Sequence, residues 1–470
     1  MADVTQTGSP GENDAGRRPF PRRIAVLLAA VPVIAVGLAD ATIAVRTAHP
    51  SDQPKPAAVA TATPSAQPSN DAQFTLNDAE TKRNAALRAL LDRRRRAVLH
   101  HDERAFLATD DPAQPRFRAA QRREFQALSA VPLASWDYDI NLGLGLPPST
   151  ASQRYGVPTF APANFDIKYA IKGFDAKPVT LTQTPTFVQR PAGWFVASFN
   201  DYASTGNPSA LGIWDFGPLR TLRVGNVLAI GHPQSLSLMR DLANVTAASI
   251  PKVTSVWGRD WPRKVVLLVP ATQRELSQIV DDSDDLSQIV ALASAEVASC
   301  PLSPSPVGDR IAINPRNWPT LSSLGRRIVL THELTHVASR ADTNSCMPTW
   351  LIEGFADYVA YKQSSLPVRV IASELGTDVR AGRVPTYLPP NRDFAGASKR
   401  LAQAYEGGFL ACRLIASMVG ERDLVRFYTA VGTSHDPPVR AVAAAMRTYL
   451  HMTPAQFTAR WRSYLRSQLS

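Results

Sequence analysis

The sequence predicts an α+β protein in which a transmembrane helix precedes two folded parts, and three patterns along the chain support this fold class. An apolar stretch near the start of the chain is long enough to cross a bilayer. A helical pattern followed by β-rich, alternating sequence fills the middle of the chain. Beyond it, short apolar runs typical of buried strands alternate with helical patterns, and helices dominate the later part.

The apolar stretch covers residues 24–45, and Asp40 is the charged residue within it. Arginines stand before it at positions 17, 18, 22 and 23, which by the positive-inside rule places residues 1–23 in the cytoplasm. We therefore expect a single-pass anchor in the cell membrane with extracellular C-terminal domains. A cleaved signal peptide is the alternative, because Ala39 and Ala41 around Asp40 form the small-x-small pattern that signal peptidase accepts.

A linker and a first folded domain follow the anchor. Residues 46–73 are rich in Pro, Ala, Ser and Thr, a composition that predicts an extended tether. Residues 74–215 predict one or two helices up to about residue 130 and then an antiparallel sheet between Pro, Gly and Asn turn signals. Helices followed by several long strands resemble the NTF2-like cone, a curved sheet that wraps a helix. Such domains often hold small molecules, so ligand capture is one functional alternative.

The second folded domain is predicted over residues 216–470. Strands are indicated at VLAIGHP, KVVLLVPA and RIAINPR, with one helix between the first two strands and another, through RELSQIV, after the second strand. Three further helices are indicated by GRRIVLTHELTHVASR, MPTWLIEGFADYVAYK and AQAYEGGFLACRLIASMVG.

The motif HELTH carries the chemistry of this domain. His332 and His336 are four residues apart, so on a helix both imidazoles project from one face and can bind one cation. Glu333 stands beside them, where a carboxylate can act on a bound water. Two structural histidines on one helix are the alternative interpretation of this spacing.

A downstream acid completes a candidate zinc site. Glu353 follows His336 after sixteen residues, which is enough for a loop and a returning helix. Two histidines and one glutamate leave a fourth tetrahedral position for water, as in catalytic rather than structural zinc sites. Asp357 follows Glu353 by one helical turn and is suited to accept a hydrogen bond from a ligand histidine. The cofactor predicted for the set is Zn²⁺.

The pattern HELTH, sixteen residues, then E-G-F-A-D resembles the gluzincin pattern of thermolysin-like peptidases and peptidase MA domains. The resemblance implies a zincin-like fold, and it matches Tyr405, in AYEGGFLACRLIASMVG, to the tyrosine that reaches over the metal. Aromatic packing between helices is the alternative role of Tyr405. A G-x-M-E-N segment does not precede the motif, which favours an endopeptidase. The family's substrate-pairing edge strand would, by position, be Arg310–Asn314.

The predicted function is therefore zinc-dependent hydrolysis of a peptide or protein substrate at the outer face of the membrane. In this interpretation zinc activates a water and Glu333 is the general base. The alternative is a catalytically silent zincin-fold envelope protein that acts in binding or assembly.

Charge and cysteine content narrow the remaining options. The formal net charge is +11, but it comes from scattered arginines rather than one basic block, so no nucleic-acid partner is predicted. Three cysteines are too few for a disulfide scaffold and lack the spacing of a zinc ribbon. A disulfide between Cys300 and Cys346 and buried free thiols are both consistent with the sequence.

Overall fold

The computed structural model describes residues 77–280, 286, 289–296, 307–344 and 346–470. The predicted cytoplasmic segment, anchor and linker (1–23, 24–45 and 46–73) lie outside these residues. Within them, no helix combines the length and the apolar composition that crossing a bilayer requires. Cys300 also lies outside the described residues, while Cys346 is disulfide-bonded and Cys412 is a buried free cysteine.

The first folded part opens with helices, as its pattern predicts. The first helix begins at a capping box, in which the Asn77 side chain accepts a hydrogen bond from the Glu80 amide at 2.9 Å and the Glu80 carboxylate accepts one from the Asn77 amide. Its buried face packs into the core of this part. The helices are Asp78–Leu99 (α1), Glu103–Leu107 (α2), Pro115–Leu128 (α3) and, within the strand region, Thr150–Gln153 (α4).

The strands of this part form two separate three-stranded antiparallel sheets. The β-rich sequence of residues 179–190 forms two strands rather than one, because Pro185 stands at the break and has no amide hydrogen to donate. An NTF2-like cone has one curved sheet, so this division gives that prediction no support. The strands are Leu133–Ile140 (β1), Thr159–Phe160 (β2), Phe165–Ile171 (β3), Val179–Thr182 (β4), Thr186–Arg190 (β5) and Gly193–Ser198 (β6).

A five-stranded sheet lies between the two folded parts, with the strand order β10-β11-β9-β8-β7. Strands β8, β9 and β11 are parallel, and the two outer strands are antiparallel to their neighbours. The strands are Arg220–Val224 (β7), Val227–Gly231 (β8), Val265–Val269 (β9), Ala291–Glu296 (β10) and Val307–Ile313 (β11), and the helices between them are Leu236–Trp257 (α5) and Gln273–Ile279 (α6).

Side chains alternate between the two faces of this sheet. Val227 and Ala229 of β8 belong to the large core shared with the helices that follow, whereas Leu228 and Ile230 belong to the core of the N-terminal part. The sheet is thus buried on both faces. The helices that follow it in the chain pack on one face, and the N-terminal part packs on the other. The domain boundary predicted at residue 216 stays a prediction.

The strand predicted to form the substrate-pairing edge is not at an edge, and this prediction was wrong. Arg310–Asn314 falls largely within β11, which pairs with β9 on one side and with β10 on the other. The edge strand next to β11 is β10, whose sequence Ala-Leu-Ala-Ser-Ala-Glu has no β-branched or aromatic residue. The sequence pattern therefore did not predict the strand that forms this edge of the sheet.

The remaining chain is helical, as predicted. Helices α8 and α11 pack so closely that a Cβ atom added to Gly354 would lie 2.3 Å from the carbonyl group of Gly408. Only glycine at both positions permits this approach. The helices are Ser323–Ser339 (α7), Thr349–Tyr361 (α8), Val368–Ile371 (α9), Ser373–Arg380 (α10), Leu401–Val419 (α11), Glu421–Gly432 (α12), Pro438–Ala445 (α13) and Pro454–Leu469 (α14).

Candidate metal centre

Helix α7 carries the two histidines on a buried turn. Ser322 caps the start of the helix, and its side-chain oxygen accepts a hydrogen bond from the Gly325 amide at 3.1 Å. Every residue of the helix from Ile328 to Ser339 is buried, because α5 and α8 pack on either side of it. His332 and His336 therefore lie one turn apart in the interior, as predicted.

Glu353 meets the two histidines from the neighbouring helix α8. Its Oε2 atom lies 3.2 Å from His332 Nε2 and 3.6 Å from His336 Nε2, and the two Nε2 atoms are 3.0 Å apart. All three residues are at most 2 % exposed. The structure thus brings together the predicted ligand set, and it is the His, Cys, Asp and Glu cluster with metal-ligand geometry found in the described part of the chain.

The triangle fits a small tetrahedral cation. Bonds of about 2.0–2.1 Å to nitrogen and oxygen around a tetrahedral zinc place the ligand atoms about 3.3 Å apart, and the three observed separations bracket that distance. Two imidazoles and one carboxylate are also donors that suit zinc. The residues present therefore fit Zn²⁺.

The charges of the cluster favour a cation. Burial alone would raise the pKa of Glu353, but the imidazoles of His336 and His332 outweigh it and lower that pKa to about 2. Burial lowers the pKa of His336 to about 4, so this imidazole is neutral at pH 7. Burial opposes protonation of His332 too, yet the Asp357 and Glu353 carboxylates raise its pKa to about 10. A metal ion would take the place of that proton.

Asp357 orients one of the ligand histidines through the ring nitrogen that faces away from the other ligands. The Nδ1–H group of His332 donates to Asp357 Oδ1 at 2.8 Å, and the Asp357 side chain is 7 % exposed. This hydrogen bond fixes the ring so that Nε2 faces Glu353 and His336. The role predicted for Asp357 from its position one turn after Glu353 is thus the contact that the structure contains.

Glu333 is buried next to the ligands without a hydrogen-bond partner. Both carboxylate oxygens lack a partner within the described residues, and the side chain is fully buried. Burial raises the pKa of Glu333 well above its ordinary range; His332 opposes this rise, and the Glu353 carboxylate adds to it. A buried carboxyl group left without a partner is costly, so it points to a role in binding a water or a substrate.

Tyr405 lies beside the cluster. Its ring centroid is 6.4 Å from that of His332 and 5.2 Å from that of Phe394, and the residue is 2 % exposed. The glycine contact between α8 and α11 brings this turn of α11 near Glu353. Tyr405 therefore packs against Phe394 and lies next to the ring of a ligand histidine. Its predicted role over the metal stays a prediction.

Sequence reasoning missed two groups at the site. Arg340, one turn beyond His336, is buried and donates from Nη2 to the Ala293 carbonyl of β10 at 3.2 Å. Its position four residues after a ligand could have marked it as a neighbour of the site. Nothing in the sequence around Ala293 indicated a strand.

The proteins similar to this chain were found among solved structures. No family model matches the chain, and no curated protein matches it. Among solved structures, a mutant two-domain M1 zinc metallopeptidase bound to L-arginine has 17% identity and a TM-score of 0.29, covering 54% of this chain and 52% of its own. The M1 zinc metallopeptidase from Deinococcus radiodurans has 15% identity and a TM-score of 0.30, covering 71% and 70%. The chain spans about half the length of the first of these structures.

Proposed function

We propose that this chain is a zinc-dependent endopeptidase. One observation carries the proposal: His332, His336 and Glu353 form a buried triangle with sides of 3.0, 3.2 and 3.6 Å, and the unpartnered carboxyl group of Glu333 lies beside it. A structural zinc site is closed by four protein ligands, whereas three ligands leave a position open.

The ligands would hold Zn²⁺, which lowers the pKa of a bound water to about 7 and polarises a scissile carbonyl. Glu333 accepts the proton of the attacking water at its carboxylate and passes it to the departing amine. Asp357 keeps His332 oriented throughout. The hydroxyl group of Tyr405 donates to the developing oxyanion, where one such donor contributes about 3–4 kcal/mol in well-studied enzymes.

The terminal strand β10 is the proposed binding element for substrate backbone. It pairs with β11 on one side only, so its other side is free of strand partners within the described residues. An extended peptide can add to such an edge through main-chain hydrogen bonds. The sequence contains no G-x-M-E-N segment, which supports cleavage within a chain rather than at its N-terminus.

The proposed location is the outer face of the cell membrane. The support for it is the apolar stretch 24–45 with arginines on its N-terminal side. Fractionation of cells that express the full chain, followed by protease treatment of intact cells, tests this proposal. Digestion of residues after 46 from outside would support it, and protection of these residues would contradict it.

Zinc analysis combined with peptide-library digestion tests the proposed activity. We expect the purified chain to contain about one zinc per molecule and to cleave internal bonds of library peptides. A chelator should abolish cleavage and zinc should restore it. Zinc at about one equivalent without any cleavage would instead favour the catalytically silent binding protein.

A further inference from the structure

A buried arginine connects the metal-bearing helix to the edge of the sheet. Arg340 follows α7 directly and is 2 % exposed. Its Nε donates to Asp309 Oδ1 of β11 at 3.1 Å, and its Nη2 donates to the Ala293 carbonyl of β10 at 3.2 Å. One guanidinium group, on the residue that directly follows the helix carrying Glu333, thus contacts both β10 and β11.

A second buried ion pair, formed by the residue next to Asp309, extends these contacts into the N-terminal part. Arg310, next to Asp309 on β11, donates to both carboxylate oxygens of Asp175 at 2.8 and 2.7 Å. Asp175 Oδ2 also accepts a hydrogen bond from the Ile171 amide at the end of β3. The side chains of Arg310 and Asp175 are only 7 % and 3 % exposed. Four alternating charges therefore run from the β3–β4 connection to the metal-bearing helix.

These four alternating charges can hold the elements that carry them in fixed relative positions. Arginine contacts with two acceptors are directional because the guanidinium group is planar and rigid. Removal of one member leaves a buried charge without its partner, which is strongly unfavourable. Ala293 lies at the centre of this arrangement, since its carbonyl accepts a hydrogen bond from Arg340 and its strand β10 packs against α7, the helix that carries Glu333.

We propose that Arg340 is a positioning residue that holds the edge strand β10 beside Glu333, and that Asp175 and Arg310 anchor this arrangement to the N-terminal part. The catalytic consequence rests on the proposed peptidase function. In the absence of Arg340, β10 would keep its pairing with β11 but lose its attachment to α7. A substrate paired with β10 would then be displaced from the metal and from the base.

The test compares three variants of the full chain with the wild type. Arg340→Met removes both contacts and the charge. Arg340→Lys keeps the charge but loses the planar guanidinium group that donates to two acceptors at once. Asp175→Asn acts from the far end of the chain of charges and changes no atom near the metal. Arg383→Met is the matched control, because Arg383 pairs with Asp378 and its side chain is 63 % exposed.

Three quantities are measured in each protein: zinc content, kcat and KM for a peptide taken from the library, and hydrogen–deuterium exchange at residues 291–296 and 265–269. For Arg340→Met we expect unchanged zinc content, KM raised about tenfold or more, and kcat per bound zinc within about threefold of wild type. Exchange should accelerate about tenfold at 291–296 and remain unchanged at 265–269. Arg340→Lys and Asp175→Asn should show smaller changes in the same direction, and Arg383→Met none.

The exchange measurement separates this inference from the proposed function. If the wild type cleaves no peptide, the peptidase proposal fails, while exchange at 291–296 still decides the role of Arg340. Wild-type exchange and KM in Arg340→Met would overturn the inference. Equal acceleration at 265–269 and 291–296 would also overturn it, because that result describes a general loss of stability rather than positioning of one strand.

Discussion

At the scale of single residues, the site is defined by which buried polar groups have partners. His332 uses both ring nitrogens, one toward Asp357 and one toward Glu353 and His336. Glu333 uses neither of its oxygens within the described residues. The contrast separates groups that build the site from the group left available to act on something bound there.

Removal of the Asp357 side chain should weaken metal binding. Asp357→Ala takes away the acceptor of the His332 Nδ1–H group, so the ring loses its fixed orientation and part of its basicity. Loss of such a supporting hydrogen bond costs roughly 10–100-fold in metal affinity. Competition with a chromophoric chelator measures this affinity. Asp423→Ala, at a surface ion pair with Arg426, is the control, and equal affinity in both variants would contradict this supporting role of Asp357.

At the scale of elements, the helices α8 and α11 are joined by glycines rather than by interlocking side chains. Gly354 follows the ligand Glu353, and Gly408 lies one turn beyond Tyr405. The close approach of the two backbones sets how near Tyr405 comes to the metal ligands.

Alanine at Gly354 should separate these helices. Its Cβ would lie 2.3 Å from the Gly408 backbone, which cannot give way as a flexible side chain would. We expect Gly354→Ala to lower the free energy of unfolding by about 1–3 kcal/mol, as overpacking does. Gly325→Ala is the control, because its Cβ meets neighbours at 3.5 Å in ordinary contact. Denaturant unfolding compares the two, and equal midpoints would contradict the proposed contact.

The start of α10 gives a prediction for the pH dependence of stability. Glu406 on α11 accepts hydrogen bonds from the Leu375 and Glu374 amides, and burial together with the Glu374 side chain raises its pKa to about 9. The folded chain then holds a proton between pH 4.5 and 9 that the unfolded chain releases. Because the folded state binds more protons, its stability falls as pH rises through this range.

Glu406→Gln isolates this effect. The amide cannot ionise, so the variant should lose less stability than wild type between pH 5 and pH 9. The wild-type slope from this group is at most about 1.4 kcal/mol per pH unit. Denaturant titrations at several pH values measure it. Parallel pH profiles for the two proteins would show that Glu406 does not titrate in this way.

At the scale of the whole molecule, the chain shows why some features follow from sequence and others do not. The ligands His332, His336 and Glu353 were predictable because helical spacing and one short connection determine which side chains meet. The strand β10 was not, since its identity depends on pairing with β11 rather than on its own residues. The contacts of Arg340 with Asp309 and Ala293 join positions distant in sequence, which no local pattern reports.

The packing of the N-terminal part likewise could not be predicted from the sequence. Its helices and strands were recognised from local patterns, but the attachment of its core to β8 and β9 is a tertiary result. Because the N-terminal part packs on this sheet, Asp175 of the N-terminal part can pair with Arg310 of the sheet strand β11.

The most direct test of the central claim is the rate of peptide hydrolysis by Glu333→Gln at equal zinc content. The substitution preserves the shape of the side chain and leaves His332, His336 and Glu353 in place. We expect a zinc-loaded variant whose kcat is lower by about 10²–10⁴-fold or more, because general acid–base catalysis is lost. Hydrolysis at the wild-type rate by this variant would contradict the proposed role of Glu333 as general base.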